Sequence, residues 1–266
     1  MTVVIASPKV GVLLRGWRLR RRLSQLDLAV TAEVSTRHLS FVETGRSAPS
    51  RELVLHLAEH LDVPLRDRNS LLLSAGYAPT FPQTPLDAEE MAPVRAALDT
   101  IVHGHQPFPA LVVDRQWDLV SANAAALSIL TAGVSPQLLD GSVNALRVTL
   151  HPDGLAPRIV NFAEWAAHLI ERLDRQVAVS QDPGLVELSA ELRTFPGVVT
   201  PDPGPGVSGR LFVPLVLRHD GFELRMFSTV ATFGTALDVT IAELAIESFF
   251  PADAATAGRL MQAGPS

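Results

Sequence analysis

Residues 23–50 read LSQLDLAVTAEVSTRHLSFVETGRSAPS, and the amino-terminal part of the chain is best understood from this segment. Ser24 and Ser35 each precede an apolar pattern with helical spacing, so we predict that each is the N-cap of a short helix. The helix that begins after Ser35 is expected to end at Gly45, and we expect Gly45 to adopt the left-handed conformation that follows many helices. Only residues 31–34 remain between the two helices, and this spacing predicts a helix-turn-helix.

Three further helices are predicted around this pair. An apolar stripe that includes Trp17 recurs at helical spacing over about residues 10–22, and the opposite face carries arginines. A fourth helix opens at Ser50, and a fifth covers about residues 65–75. Five short helices with a tight turn between the second and third predict an all-α helix-turn-helix bundle.

The charge of the chain is divided unevenly. Residues 1–80 hold 11 Lys and Arg against 7 Asp and Glu, a net charge of +4, whereas residues 81–266 hold 11 against 21, a net charge of −10. The net charge of the whole chain, −6, hides this division. Such an asymmetry indicates a nucleic-acid-binding segment that is joined to something else.

A proline-rich stretch, residues 77–93, marks the clearest domain boundary. Within it, Asp87 with Glu90 resembles a capping box at the start of a helix that runs to about Val102. We therefore expect a helix-turn-helix domain over 1–78, a linker and connecting helix over 79–104, and a second domain over 105–266.

The periodicity of the second domain alternates between strand and helix, which predicts an α+β fold. Strands are expected over 110–113, 117–121, 211–217, 222–233 and 240–249, although the last of these ranges also admits a helix. Helices are expected over 123–130, 144–150 and 161–179, with another through Leu185, Leu188 and Leu192. A loop rich in proline and glycine is expected over 196–209.

The stretch 23–50 resembles the signature of the Xre/Cro/repressor class of helix-turn-helix proteins. The matching positions are Ser24–Gln25, Leu28–Ala29, Val34–Ser35, Leu39, Val42–Glu43, Gly45–Arg46 and Pro49. One departure is Glu33, where the class usually has glycine. Because glycine relieves the strain of a positive φ, we expect a slightly altered turn here.

The resemblance implies which side chains contact DNA. They are Gln25, which touches the DNA backbone, and Ser35, Thr36, Arg37, His38, Phe41, Arg46 and Arg51. In the major groove, Arg37 is expected to form two hydrogen bonds with a guanine, and Phe41 is expected to contact a thymine methyl group. Arg15 and Arg18 are further candidates for phosphate contacts, whereas Glu43 is expected to bond within the bundle.

The second domain carries two resemblances. Residues 114–126, DRQWDLVSANAAA, are similar to the opening hairpin and first helix of PAS domains, in which helices cover one face of an antiparallel sheet. The segments PFPALVVDRQWDLVSANAAA, LHPDGLAPRIVNFAEWA and FSTVATFGTALDVTIAELAIESFFPADAATAGRL resemble the ligand-binding domain of MmyB-like transcription regulators. Those regulators also carry an Xre-type helix-turn-helix, and their PAS-related sensor can hold a fatty acid. The resemblance implies a DNA-binding transcription regulator that senses such a ligand.

A fatty acid requires an apolar tunnel and a few groups that hold its carboxylate. The apolar candidates include Trp117, Leu146, Leu150 and Trp165. A hydrophobic core without a ligand would contain the same residue types. The polar candidates are Arg147, Asn123 and His151, with Asn161 and Arg225 as further ones. Arg147 is the first choice among them because a guanidinium pairs well with a carboxylate.

We expect that ligand occupancy shifts the sensor or the connecting helix and changes the spacing of two DNA-binding domains. Repressors of this class bind two-fold-related half-sites of double-stranded DNA as dimers, so a homodimer is expected. The alternative is a regulator whose sensor binds another cofactor, such as haem or flavin, or a protein partner, and no lipid.

Composition and spacing argue against several other classes. The absence of cysteine excludes disulfides and thiolate metal sites and fits the cytoplasm. No apolar run is long enough for a membrane span, and the basic start of the chain does not resemble a signal peptide. His103 and His105 lack a third metal ligand. Ser121, His151 and Asp153 are the residue types of a catalytic triad, but no nucleophile-elbow pattern surrounds any serine. We therefore expect neither an enzyme nor a metal site, and no cofactor apart from a bound fatty acid as ligand.

Overall fold

The computed structural model describes residues 9–199 and 213–263, and the contacts among them form two compact units. The first unit runs to Thr84 and includes Thr235–Ala242, whereas the second comprises Pro85–Gly234 and the chain from Glu243 onward. A segment in the carboxyl-terminal third of the chain therefore belongs to the amino-terminal unit. Among the described residues, no helix combines the length and apolar character that crossing a membrane requires.

The first unit begins with five helices around one apolar core. They are α1 (Val10–Arg20), α2 (Gln25–Thr31), α3 (Thr36–Glu43), α4 (Arg51–His60) and α5 (Leu65–Ser74). As predicted, Ser24 and Ser35 are N-caps, because their hydroxyl oxygens accept hydrogen bonds from the backbone N–H groups of Asp27 and His38, each at 3.1 Å. Local capping therefore fixes where the two helices of the helix-turn-helix begin.

The turn between α2 and α3 contains one strained residue. Glu33 has a φ of 52°, which confirms a left-handed conformation at the position where the Xre class usually has glycine. A residue with a Cβ in this conformation costs about 1–2 kcal/mol. The turn closes nevertheless, because the Val34 N–H donates to the Ala29 carbonyl at 2.9 Å. Gly45, after α3, has the predicted positive φ, 73°.

A buried ion pair joins α1 to α3. Arg18 Nε and Nη2 donate to the two carboxylate oxygens of Glu43 at 2.7 and 2.8 Å, and Gln25 Nε2 donates to Glu43 Oε2 at 2.7 Å. Arg18 is 6% exposed and Glu43 is 5% exposed. The expectation that Arg18 contacts phosphate is therefore wrong, because its guanidinium is buried inside the bundle, whereas Glu43 bonds within the bundle as predicted.

The charge on Glu43 is maintained by its partners. Burial alone would raise the pKa of this carboxyl group. Hydrogen bonds from Arg18 and Gln25, together with the charges of Arg18 and Arg15, outweigh burial and lower the pKa below its ordinary value. The network therefore stabilises the unit above the ordinary pKa of a glutamate, and this stability is lost as the pH falls through the lowered value.

The second unit contains a five-stranded antiparallel sheet with the order β2–β1–β5–β4–β3. The strands are β1 (Ala110–Val113), β2 (Leu119–Ala122), β3 (Leu215–His219), β4 (Phe222–Thr232) and β5 (Ala245–Pro251). Helices α6 (Ala92–Gly104), α7 (Ala124–Thr131), α8 (Ala145–Leu150), α9 (Phe162–Ser180), α10 (Pro183–Leu192) and α12 (Ala254–Ala263) belong to this unit. A further helix, α11 (Val239–Ala242), follows β4 and belongs to the first unit.

Helices pack on both faces of the sheet near β1 and β5. Leu98 and Val102 of α6 pack against Val112, Leu244 and Ile246 on one face. Side chains of α7 to α10 and of α12 form a larger core with the other face. Helices therefore lie on both sides of the sheet near β1 and β5, whereas residues 229–232 of β4 are exposed.

Several boundaries differ from those predicted. The strand expected over 240–249 is wrong in its first part, because Val239–Ala242 form α11 and the strand begins at Ala245. The second predicted strand covers Leu119–Ala122, and α12 was not predicted at all. The helix expected from Asp87 begins at Ala92, after a short 3-10 helix. Residues 211–212 of a predicted strand, and residues 200–209 of the predicted loop, lie outside the described residues.

The segment between β4 and β5 is anchored within the first unit. Asp238 is 7% exposed, and its Oδ2 accepts hydrogen bonds from the Thr84 hydroxyl at 2.7 Å and from the Thr84 N–H at 3.1 Å. The Val239 N–H donates to the Pro82 carbonyl at 2.8 Å, and α11 packs against α5. Two strands of the sheet are thus connected by a segment that is part of the helical unit.

We predict that Arg18→Met destabilises the first unit by about 3–5 kcal/mol, because it leaves the Glu43 carboxylate buried without its counter-charge. Replacing both partners, Arg18→Met with Glu43→Leu, should cost far less. Urea unfolding, combined with hydrogen exchange of the α1 and α3 amides, measures both effects. The wild type should also lose stability in this unit as the pH falls below 4.5, the ordinary pKa of a glutamate, and the double variant should lose less. Equal losses in the single and double variants would contradict this assignment.

Candidate functional site

The first turn of α3 presents a polar, basic surface. Thr36, Arg37 and His38 are exposed, while Leu39 on the same helix is buried in the core. Helical spacing therefore holds the predicted base-reading side chains away from the bundle. Ser35, also predicted at the DNA, is exposed and caps the helix through its hydroxyl.

An aromatic ring with two guanidinium groups continues this surface. The guanidinium carbons of Arg37 and Arg46 lie 5.3 and 5.9 Å from the centroid of the Phe41 ring. Both distances are within the range of cation–π attraction, about 6 Å. The structure thus brings together three of the predicted DNA contacts, with Phe41 partly buried and both arginines exposed.

The remaining predicted DNA contacts have different surroundings. Gln25, expected to touch the DNA backbone, donates its amide to Glu43, so it also helps to join α2 to α3. Arg51 is exposed and donates to the Thr80 hydroxyl at 2.7 Å, a neutral partner. Arg15 is exposed on α1.

The second unit contains a cavity between the sheet and its helices. Its volume is about 60 Å³. Its wall is almost entirely apolar and is formed by β1, β3, β4 and β5 and by the helices that cover this face of the sheet. The lining residues are Pro109, Leu111, Trp117, Ala126, Ile129, Leu130, Ala145, Leu146, Thr149, Leu155, Ile159, Trp165, Leu169, Leu215, Met226, Glu247 and Phe249.

Trp117 is held firmly at one side of this cavity. Its indole Nε1 donates to Gln176 Oε1 at 2.9 Å, and the Arg172 guanidinium lies 4.4 Å from the centroid of its ring. The residue has a φ of 68°, which is rare for a bulky side chain. The turn is fixed by Asp114, whose carboxylate accepts hydrogen bonds from the N–H groups of Gln116 and Asp118.

Glu247 is a lining residue that the sequence analysis missed. It lies in the central strand β5, opposite Leu111 of β1 and Val230 of β4, and it is 6% exposed. Its Oε1 accepts hydrogen bonds from the Ser228 hydroxyl at 2.8 Å and from Arg172 Nη1 at 3.2 Å. The alternation of apolar and polar residues in this strand did not reveal the burial of Glu247, because period two does not show which face of a strand helices cover.

Trp165 supplies the other notable polar group. The residue is 3% exposed and lines the cavity, and its indole Nε1 is buried without a hydrogen-bond partner among the described residues. A buried donor without a partner is uncommon in proteins and costs about 1–3 kcal/mol. Trp165 therefore contributes its ring to the wall of the cavity, while its N–H is an unsatisfied donor of the core.

The structure divides the predicted ligand contacts. Trp117, Leu146 and Trp165 line the cavity, whereas Leu150, Arg147, Asn123 and His151 are not among its lining residues. Arg147 Nε and Nη2 donate to the two carboxylate oxygens of Glu191 at 2.6 and 2.7 Å, and this partner raises the pKa of the guanidinium. The guanidinium chosen as carboxylate anchor therefore already holds a carboxylate.

Asn123 and His151 have structural partners. The Asn123 carbonyl oxygen accepts hydrogen bonds from the Ala110 and Ala126 N–H groups, and its amide donates to the carbonyls of Val102 and Phe108. The His151 ring packs edge-on against Phe195, with the ring centroids 4.9 Å apart. Asn123 thus connects α6, β1 and α7 to one another.

Comparisons with known proteins assign a family to each part of the chain. Residues 94–263 match the profile of the MmyB-like transcription regulator ligand binding domain, and residues 9–71 match that of a helix-turn-helix domain. No curated protein matches the chain. A solved structure entitled "Structure of an RNA-binding Light-Oxygen-Voltage Receptor" is similar at 13% identity, with a TM-score of 0.27 that is too low to carry an argument. That alignment covers 95% of this chain, which spans 60% of the receptor chain.

The fold and the two matches define a helix-turn-helix, DNA-binding transcription regulator with a ligand-binding domain. The chain belongs to the family of MmyB-like transcription regulators, whose ligand-binding domain accounts for most of its length.

The two cavity tryptophans provide a matched pair for a stability test. We predict that Trp117→Phe lowers the free energy of unfolding by about 1 kcal/mol more than Trp165→Phe, because only Trp117 loses a hydrogen bond, the one to Gln176. Both variants remove the same atoms from the wall of the same cavity, so the packing losses are similar. Denaturant unfolding measures the difference, and a larger loss for Trp165→Phe would contradict the bonding described above.

Proposed function

We propose that the chain is a sequence-specific DNA-binding regulator that reads its operator with the first turn of α3. The observation that carries this proposal is the exposed group Thr36, Arg37 and His38 beside Phe41 and Arg46. Arg37 has the geometry for two hydrogen bonds to a guanine, and the exposed arginines at its side supply attraction to phosphates. Because the acidic charge lies in the other part of the chain, phosphate repulsion there favours contact through the helical unit.

The proposed ligand is a small hydrophobic molecule bound in the cavity of the second unit. Its apolar wall supports this proposal, since such a wall with few polar groups is typical of ligand sites. A fatty acid is the class that the family resemblance implies, and its alkyl chain suits the wall. Because about 60 Å³ is small for a long chain, lining side chains must move when it binds. The proposal includes no catalytic step and no further cofactor.

We infer that the segment between β4 and β5 transmits ligand binding to the helical unit. Met226 of β4 and Phe249 of β5 line the cavity, and the segment Thr235–Ala242 that connects these strands belongs to the first unit. A shift of either strand therefore pulls on a segment anchored by Asp238 to Thr84. The ligand must favour one arrangement of this segment over another for its binding to change DNA affinity. We further propose a homodimer that binds two-fold-related half-sites, as is usual for this class of regulator.

We predict that Arg37→Ala weakens binding to the operator by about 1–3 kcal/mol, because it removes a bidentate contact with a base. Binding to unrelated DNA should weaken much less. Arg175→Ala, which removes an exposed arginine of the second unit that pairs with Glu171, is the matched control and should change neither affinity. Gel-shift titrations with operator and scrambled DNA measure these effects. Unchanged operator affinity in Arg37→Ala would contradict the assignment of α3.

We predict that Asp238→Ala removes the effect of ligand on operator affinity while ligand affinity stays nearly the same. Ligand should change the operator affinity of the wild type by about 5–150-fold, the usual range for coupled sites. The control is Asp253→Ala, which removes a similar carboxylate that accepts from the Thr256 N–H in the second unit. Fluorescence anisotropy with labelled operator gives the operator affinity with and without dodecanoate, and calorimetry gives the affinity for dodecanoate. If dodecanoate still changes the operator affinity of Asp238→Ala, the proposed route through Asp238 is wrong. If dodecanoate does not change the operator affinity of the wild type, the protein does not sense that ligand.

A further inference from the structure

A second pocket lies beside the cavity of the second unit. Its volume is about 320 Å³, within the range of about 300–1,000 Å³ that is usual for small-molecule sites, whereas the cavity itself has about 60 Å³. We propose that the two spaces form one site for a fatty acid, with the alkyl chain in the cavity and the carboxylate in the second pocket, at Arg259. This inference rests on the proposed function, because it concerns the ligand of the same cavity.

The two spaces are adjacent on one face of the sheet. Met226 of β4 lines the cavity, and Leu224 of the same strand lines the second pocket. Side chains two residues apart in a strand point to the same face, and their backbone positions lie about 7 Å apart. The second pocket therefore continues the line of the cavity along β4, toward the turn that joins β3 to β4.

Ile129 of α7 lies at the boundary between the two spaces. It lines both of them, whereas Ala126 lines only the cavity and Ser128 lines only the second pocket. The backbone of Ile129 is held in place, because its carbonyl accepts a hydrogen bond from Arg158 Nη1 at 3.1 Å. A rotation of the Ile129 side chain is therefore the movement by which we expect an alkyl chain to pass from one space to the other.

Electrostatics favour a carboxylate outside the cavity. Among the described residues that line the cavity, Glu247 alone is charged, and Arg172 already balances it at 3.2 Å. A fatty-acid carboxylate beside this pair would add a second negative charge in surroundings of low dielectric constant, which is unfavourable. Arg147, the arginine expected to hold the ligand, is already paired with Glu191. The carboxylate therefore requires a different cation.

Arg259 supplies this cation. It lines the second pocket from α12, and its guanidinium carbon lies 3.5 Å from the centroid of the Phe222 ring. This cation–π contact holds the group without pairing its charge, and no carboxylate among the described residues pairs with it. The N–H donors of a guanidinium can form two parallel hydrogen bonds with a carboxylate. Arg259 thus has the chemistry that a fatty-acid head group needs.

The acid of the second pocket has its own surroundings. The side chain of Asp220 is 84% exposed, and its Oδ2 lies 3.5 Å from His219 Nε2. Arg158 Nη2 donates to His219 Nδ1 at 2.9 Å, so the ring hydrogen lies on Nε2, the nitrogen that faces Asp220. Asp220 therefore faces His219 and water, and Arg259 is the group of this pocket that favours an anion.

The first test separates the charge of Arg259 from its packing. The full chain, freed of lipid, is titrated by calorimetry at pH 7.5 with dodecanoate and with dodecanol. Arg259→Gln should weaken the binding of dodecanoate by about three- to tenfold, the contribution of an ion pair that is partly open to water, and leave that of dodecanol unchanged. Arg259→Lys should restore much of the loss, because it keeps the positive charge.

Arg225→Gln is the matched control for this test. Arg225 stands between Leu224 and Met226 in β4, so its side chain points to the opposite face of the sheet, where it pairs with Glu223 at 3.2 Å. The change in net charge is the same as in Arg259→Gln. The affinity for dodecanoate should nevertheless stay that of the wild type.

A second pair of variants tests the place of the ligand. Ser128→Trp adds a large side chain to the second pocket from an exposed position of α7, and it should weaken dodecanoate and dodecanol by about tenfold or more, because it overfills the site. Leu127→Trp changes the preceding residue, which is exposed and lines neither space, and it should change neither affinity.

The outcomes distinguish this inference from the function on which it rests. Wild-type affinity for dodecanoate in Arg259→Gln, or equal losses for dodecanoate and dodecanol, overturns the role given to Arg259. Unchanged binding in a folded Ser128→Trp variant overturns the use of the second pocket. Each of these results leaves the proposed hydrophobic-ligand site in place, whereas a wild type that binds neither compound overturns that function as well.

Discussion

The carboxylate of Glu43 is the point on which the DNA-binding unit depends. It receives two hydrogen bonds from Arg18 of α1 and one from Gln25 of α2, and it lies at the end of α3 itself. Three helices are thereby fixed to one buried charge, including the helix that presents Arg37. Because a buried carboxylate without partners is very costly, the bundle has little freedom to rotate α3 while this network is intact.

The second unit contains another buried carboxylate, Glu247, which accepts fewer hydrogen bonds from the described residues than Glu43. Glu247, like Glu43, is balanced by one arginine, but its two hydrogen bonds fall on a single oxygen atom. Glu43 therefore has a structural role that its neighbours complete, whereas Glu247 has capacity left for a further partner. The contrast follows from their surroundings, because Glu43 is bonded by polar side chains of α1 and α2 and Glu247 borders an apolar cavity.

The sequence predicted those features that depend on near neighbours in the chain. Ser24 and Ser35 cap helices, and Gly45 adopts a positive φ, because capping and left-handed turns are decided within a few residues. The sequence did not predict contacts between residues that are far apart in the chain. Arg147 was expected to bind the carboxylate of a ligand and instead pairs with Glu191. Alternation in β5 likewise predicted a strand, but period two alone does not reveal that Glu247 is buried.

The route of the chain also limits how the two units can respond to each other. A linker at the proline-rich boundary alone would leave the helical unit joined to the sheet by one flexible connection. The segment Thr235–Ala242 adds two more connections, since the chain enters the first unit after β4 and leaves it again before β5. Because β4 and β5 pair along seven residues of each strand, a shift of one strand relative to the other must change the span available to this segment. Asp238, bonded to Thr84, is the residue through which the proposed route enters the helical unit.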